Sequence, residues 1–172
     1  MAIETQHLLL LPCSLEMLQI AIEGNSSIQE KLDIEVAENW TEFGLAPLQY
    51  SYDKLSSDHE ENGWWTYFPI HKGENKLIGS CGYKGKPSES GVVEIGYEVA
   101  PDYRTMGFAT EMANGLISNA FSNPRVTMII AHTLSEENPS TKILRKIGFI
   151  KVGEINDPED GLIWQWELIR PK

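Results

Sequence analysis

The sequence predicts a single α+β domain over residues 1–172, with antiparallel strands first, one strand–helix–strand step, then a helix and a closing hairpin. Three observations predict it. Consecutive β-rich runs between Trp64 and Val99 are joined by short turn-rich links, the pattern of an antiparallel meander. Ala109, Met112, Ala113, Leu116, Ile117, Ala120 and Phe121 recur every three and four residues, a sustained apolar stripe that marks a helix. A β-rich run at 126–134 follows that helix, so the three elements form a parallel crossover, which should be right-handed.

Each element has a local reason. Residues 8–11 are an apolar run ended by Pro12 and read as a buried strand. Ser14 can cap a helix through Glu23, with Leu15, Leu18 and Ile22 on one face and Gly24-Asn25 as the stop. Residues 26–60 are polar, contain Pro47, and show helical spacing only in pieces such as Ile28, Leu32 and Val36, so two short helices and loops are expected. Strands follow at 64–70, 76–83 and 91–99, with a Gly-, Pro- and Ser-containing loop at 84–90. Asn123-Pro124 ends the long helix. Asn138-Pro139 supplies an N-cap and a first-turn proline for the next helix. Its inner face is Ile143, Leu144 and Ile147, and its stop is Gly148. Residues 149–155 and 162–168 form the last hairpin, with Trp164, Trp166 and Leu168 on one face.

Composition narrows the function. Fourteen Lys+Arg against 25 Asp+Glu give a formal charge of −11, an argument against nonspecific nucleic-acid binding. There is no apolar run of membrane-spanning length. The opening Met1-Ala2-Ile3-Glu4-Thr5 has no basic n-region, so a cytoplasmic location is expected. Cys13 and Cys81 are too few for a disulfide framework. His7, His59, His71 and His132 lack metal-ligand spacing, so no metal is expected.

One segment carries chemistry. Residues 99–109 join a strand to the amphipathic helix, and such a loop offers free N–H groups and the helix dipole to a phosphate. Gly107 lets the main chain approach a ligand closely, Ala109 keeps the first turn small, and Arg104 adds a positive charge. Neither a Walker A loop nor a dinucleotide G-x-G-x-x-G is present. A glycine that only permits a tight turn is the other reading of this string.

The run Arg104-Thr105-Met106-Gly107-Phe108-Ala109 resembles the acetyl-coenzyme A loop of the GNAT N-acetyltransferase superfamily. Three further stretches, Ala131-His132-Thr133, Glu137-Asn138-Pro139-Ser140 and Lys146-Ile147-Gly148-Phe149, resemble the block that follows the loop in the ribosomal-protein-acetylating (RimJ/RimL-type) branch. Residues 5–12 are similar to that branch's first strand, and Glu94-Ile95-Gly96-Tyr97 to the strand before the loop. The resemblance covers 5–23 loosely and 64–168 well, and no named counterpart is expected for 24–63.

The resemblance implies a mixed, mostly antiparallel sheet of six to seven strands with helices on both faces. It also implies acetyl-CoA as acyl donor and a primary amine, on a small molecule or a protein N-terminus, as acceptor. The strand before the loop would part from its neighbour, with Val99 pairing with the pantetheine arm. The pyrophosphate would rest on the N–H groups of Thr105, Met106, Gly107, Phe108, Ala109 and Thr110, with Arg104 as charge partner and Asn138 on the arm. An N-cap alone is the other reading of Asn138.

Many members protonate the leaving thiolate with a tyrosine four residues before the Gly-Phe pair, where this chain has Leu144. Ser140 matches the serine given that task in the RimJ/RimL branch, and a second cap residue is its other reading. For the base, Glu94 and Glu98 share a strand face with Gly96. Glu94 is the safer choice, because a bulge near Val99 would turn Glu98 away. An exposed polar face is the alternative for both, and His132 reads as a hydrogen-bonded core histidine. Homodimers are common in this branch, and the Trp164/Trp166 hairpin is the expected contact unless those side chains are core. A noncatalytic acyl-CoA-binding module of the same fold is the alternative function.

Overall fold

The computed structural model describes residues 1–171. In chain order its strands are β1 (Ile3–Glu4), β2 (Leu8–Pro12), β3 (Glu35–Val36), β4 (Thr66–His71), β5 (Lys76–Leu77), β6 (Gly79–Tyr83), β7 (Val92–Val99), β8 (Met128–Leu134), β9 (Ile150–Asp157) and β10 (Gly161–Ile169). Its helices are α1 (Leu15–Glu23), α2 (Asn25–Leu32), α3 (Ala46–Ser57), α4 (Phe108–Ser122) and α5 (Pro139–Ile147), with 3-10 turns at His59–Glu61 and Pro101–Tyr103. The main path of the sheet runs β1-β2-β4-β6-β7-β8-β10-β9, with β3 and β5 added beside β4. The seven expected strands are all present, and the two-residue strands β1, β3 and β5 extend them. The α+β reading therefore holds.

One expected strand divides. Residues 76–83 form β5 and β6 rather than one element, because the register against β4 slips by one residue between Ile70↔Leu77 and Tyr67↔Cys81. The slip falls beside Pro69, which has no N–H to give, a position where proline favours a bulge. Between β6 and β7 the register is continuous from Tyr83↔Ile95 to Gly79↔Val99, so no bulge interrupts β7.

Side-chain alternation gives the sheet two cores. Tyr67 belongs to a cluster with Leu8, Val93, Met112, Leu144 and Trp166, on the face covered by α4 and α5. Its neighbour Phe68 belongs to the other, with Leu18, Ile28, Trp40, Leu48 and Leu77, under α1–α3. Residues 24–63, weakly patterned in sequence, thus close the second face. The Trp166 side chain is buried and its indole N–H donates to Thr133 Oγ1 at 2.9 Å, so it is core, not a contact surface. The exposed apolar residues of the hairpin are instead Ile150, Val152, Ile155, Leu162 and Ile169.

Two polar devices fix α4. Tyr83 donates from its hydroxyl to Leu116 O at 2.7 Å. Arg170 closes the C-terminal end, with Nε on Val126 O at 2.7 Å and its two terminal nitrogens on Phe121 O and Asn123 O. Helix α5 carries the expected Asn138 N-cap, here as half of a capping box: Asn138 Oδ1 accepts from Thr141 N–H and Thr141 Oγ1 accepts from Asn138 N–H, each at 3.0 Å. Ser14 caps α1 by accepting from Met17 N–H.

Candidate active site

Strands β7 and β8 are parallel but pair only at Val92↔Met128, Val93↔Ile129 and Glu94↔Ile130. Beyond Glu94 they part. Residues 95–99 keep only β6 as neighbour, and 131–134 keep only β10. Hydrogen-bond phase decides what lines the opening. Lys84 N–H donates to Glu94 O and Ala100 N–H to Ile78 O, so the even-numbered residues of β7 bond to β6. The main-chain groups of Ile95, Tyr97 and Val99 therefore point into the gap. Arg170 N–H donates to Thr127 O, which by the same alternation turns those of His132 and Leu134 toward the gap from the other side.

The gap leads to the start of α4. Thr105 has φ 62° and Gly107 φ 87°, two left-handed residues that fold the turn back before the helix. A threonine there is strained by about 1–2 kcal/mol. Unlike α1 and α5, α4 has no side-chain cap, so its first N–H groups are free to bind an anion. A Cβ built on Gly107 meets no heavy atom within 4 Å, so there is open space over the turn. Glu111, in the first turn, points away and accepts from Thr5 Oγ1 at 2.5 Å and His7 N–H at 2.6 Å, fixing the β1–β2 connection instead. These residues fit a diphosphate held by main-chain donors. Met106 is exposed, whereas Phe108 is buried against His71 and Tyr103 and offers only its N–H.

Arg104 is engaged from within the protein. Its Nε donates to Val99 O at 3.1 Å and Nη2 pairs with Glu42 at 2.6 Å. The carbonyl expected to meet the pantetheine arm and the guanidinium expected to meet phosphate thus hold one another. Next to them Glu98 accepts from Glu42 N–H at 3.0 Å. Burial lifts its carboxyl above the ordinary range, against hydrogen bonds from Thr41 and Glu42 that lower it.

Groups able to move protons flank the gap on both faces of the sheet. On the α4/α5 side, Tyr97 Oη and Ser140 Oγ are 3.2 Å apart, bridging β7 and α5. Burial pushes the Tyr97 phenol up and the Ser140 contact pulls it down, with burial the larger, so it stays protonated at neutral pH. Asn138, two residues earlier, uses its oxygen in the cap and keeps its amide nitrogen for a ligand. On the other side, Glu94 Oε1 lies 2.9 Å from His132 Nδ1 and 2.5 Å from Lys84 Nζ. His132 is thus a half-buried partner of Glu94 rather than a core histidine.

Of the residues singled out in sequence, Glu94 makes the last β7/β8 pair, Val99 and Arg104 touch at the far end of β7, and Ser140 meets Tyr97 from α5; Asn138 caps α5 two residues earlier, and Thr105 to Thr110 form the turn and first residues of α4. Sequence reasoning passed over Tyr97, Lys84 and Glu42. Alternation places Tyr97 opposite the Glu94 face, a signal that was available. Nothing in spacing links Glu42 to Arg104, 62 residues away.

An opening of this kind suits an extended ligand with an anionic tail, as a group-transfer enzyme would need. The chain belongs to the GNAT acetyltransferase family: the acetyltransferase (GNAT) domain profile matches residues 23–150. The match includes 24–63, which therefore has a family counterpart after all. An uncharacterized N-acetyltransferase of Bacillus subtilis, YjdG, is 28% identical over 150 residues, 86% of this chain and 89% of its own. Among solved structures, the ribosomal-protein-S5-alanine acetyltransferase of Vibrio fischeri superposes with a TM-score of 0.71 at 17% identity, covering 98% of this chain and 96% of that one. RimL, a ribosomal L7/L12 α-N-protein acetyltransferase solved with coenzyme A, gives 0.71 at 12% identity and covers 98% of both chains. At such identities the likeness is one of fold.

Proposed function

We propose that this enzyme moves the acetyl group of acetyl-CoA directly to a primary amine, on a small molecule or a protein N-terminus. The observation that carries the reading is the parting of β7 from β8 beside an uncapped helix start. The free N–H groups from Thr105 to Thr110 would hold the diphosphate, with Arg104 turning from Glu42 to join them. The odd-numbered main chain of β7 would pair with the pantetheine arm, and Asn138 would add its amide. When bound, acetyl-CoA supplies an activated thioester.

The N–H of Tyr97 faces the gap and is the donor best placed for the developing oxyanion. Ser140, hydrogen-bonded to the protonated Tyr97, would donate to the departing sulfur, a task that Leu144 cannot perform. Glu94 stands on the other face, from which the amine would arrive. The net charge of −11 favours a cationic acceptor.

The test is release of free CoA from acetyl-CoA across a panel of polyamines, aminoglycosides, simple alkylamines and N-terminal peptides of ribosomal proteins. Turnover with at least one primary amine is expected. Calorimetric binding of acetyl-CoA with no turnover on any amine would overturn the assignment.

A further inference from the structure

We propose that His132 is the base that deprotonates the incoming amine, and that Glu94 is a positioning residue acting through it. The inference deepens the acetyltransfer reading and rests on it. The two side chains are brought together by the last parallel pair, Glu94↔Ile130, after which the strands separate. His132 lies two residues further along β8, so its side chain shares the face of Ile130 and reaches back to Glu94. The contact with Glu94, the last paired residue, sets the ring beside the closed end of the gap, where the tip of a donor entering from the α4 side would stop.

The hydrogen bonds divide the labour. Glu94 Oε1 is ion-paired with Lys84 Nζ at 2.5 Å and shares a hydrogen bond of 2.9 Å with His132 Nδ1. A carboxylate held by an ammonium can only accept, so Nδ1 carries the ring proton and the lone pair resides on Nε2. Nε2 has no partner among the described residues, and the His132 side chain keeps 19% exposure. Glu94, at 18%, has its near oxygen occupied twice. The open basic atom of the pair is therefore on the imidazole, an oriented base behind which a carboxylate fixes tautomer and direction. The charged groups facing it are Glu94, Lys84 and Asp157, whose carboxylate feels both Lys84 and His132. Gln165 is its cross-strand neighbour on β10.

The proton balance is simple. A primary ammonium gives one proton to Nε2, which passes it to water. The free amine then forms the N–C bond to the acetyl carbon, and the C–S bond breaks. The nitrogen sheds its second proton, the sulfur gains one through Ser140 and Tyr97, and one proton is released per turnover.

The experiment compares His132→Gln, Glu94→Gln and Glu94→Asp with the parent enzyme on the best amine of the panel. Acetyl-CoA titration monitors fold and donor binding. His132→Gln should lower kcat/KM by about 10²–10⁴ at neutral pH, remove the acidic limb of its pH profile, and leave acetyl-CoA affinity unchanged. Glu94→Gln should retain that limb, displaced, with a smaller loss, and Glu94→Asp should recover part of it. An acceptor of low basicity, already neutral at pH 7, should lose far less in His132→Gln. If His132→Gln keeps kcat/KM within threefold with the limb intact, or if Glu94→Gln abolishes the limb while His132→Gln does not, His132 is not the base. Parent enzyme that turns over no amine would overturn the acetyltransfer reading instead.

Discussion

Gly107 offers the sharpest test of where the diphosphate lies. Its φ of 87° belongs to the left-handed region, so any other residue costs about 1–2 kcal/mol in the backbone. A Cβ there meets nothing within 4 Å, so no packing cost is added and both Gly107→Ala and Gly107→Glu should fold. The two differ in one respect that matters. A carboxylate about 6 Å from a diphosphate bearing about two charges is repelled by about 5 kcal/mol at an effective dielectric of about 20. Physiological salt, with a Debye length of about 8 Å, roughly halves this. The remaining ~2.5 kcal/mol weakens binding about 70-fold. Calorimetric titration should therefore place the acetyl-CoA affinity of Gly107→Glu about 50- to 100-fold below that of Gly107→Ala. Thermal melting would show the two folds equally stable. Acetylated pantetheine, which lacks the phosphates, should serve both variants alike as donor. Affinities of the two variants for acetyl-CoA within threefold of each other would mean that the diphosphate is held elsewhere.

Glu42→Gln removes the carboxylate that holds Arg104. The pair is half-exposed, worth at most about 1 kcal/mol, so acetyl-CoA binding should tighten by no more than about fivefold. Weakened binding in the same titration would show Glu42 assisting the donor rather than competing with it. Arg170→Met strips three carbonyls at the end of α4 of their donor and should cost about 2 kcal/mol. On a chain of this size that lowers Tm by about 4–8 °C, and a melt unchanged within 1 °C would refute the clamp. Burial alone would raise the Glu111 carboxyl, but hydrogen bonds from Thr5, His7 and Leu8 outweigh it and hold it below the ordinary range. A depressed folded value stabilises above the unfolded value and is lost as pH falls through the folded one. Glu111→Gln should therefore lower the urea midpoint at neutral pH and flatten its decline below about pH 4.3. Parallel pH curves for the two proteins would exclude that linkage.

Local physics made most of the frame readable. The α4 stripe, the Ser14 and Asn138 caps and the Gly148 stop depend on residues within one or two turns of each other, and each is present. The turn into α4 was legible because Gly107 is itself a local signal. The long-range contacts of the candidate site were not. Glu94 and His132 lie 38 residues apart, and whether they touch depends on a parallel register that is only three pairs long. The Glu42–Arg104 pair depends on how a weakly patterned loop is laid across the end of β7, which polar surface residues do not specify. The split of 76–83 was hidden because a one-residue slip leaves its apolar alternation intact on either side.

Strand β7 would let one short sequence serve both ends of the proposed reaction. Glu94 and Tyr97 are three residues apart, an odd number, so the strand turns them to opposite faces of the sheet. Three residues of extended strand also set them about 10 Å apart along β7, so neither can satisfy the other. Parted by the sheet, Glu94 instead engages His132 and Lys84 on one side, and Tyr97 engages Ser140 on the other. The β7/β8 pairing ends between the two, at Glu94↔Ile130. In the proposed reaction the amine would lose its proton on one face and the sulfur gain one on the other. A β-bulge anywhere between residues 94 and 97 would collapse that separation, and the unbroken β6–β7 register is what prevents it.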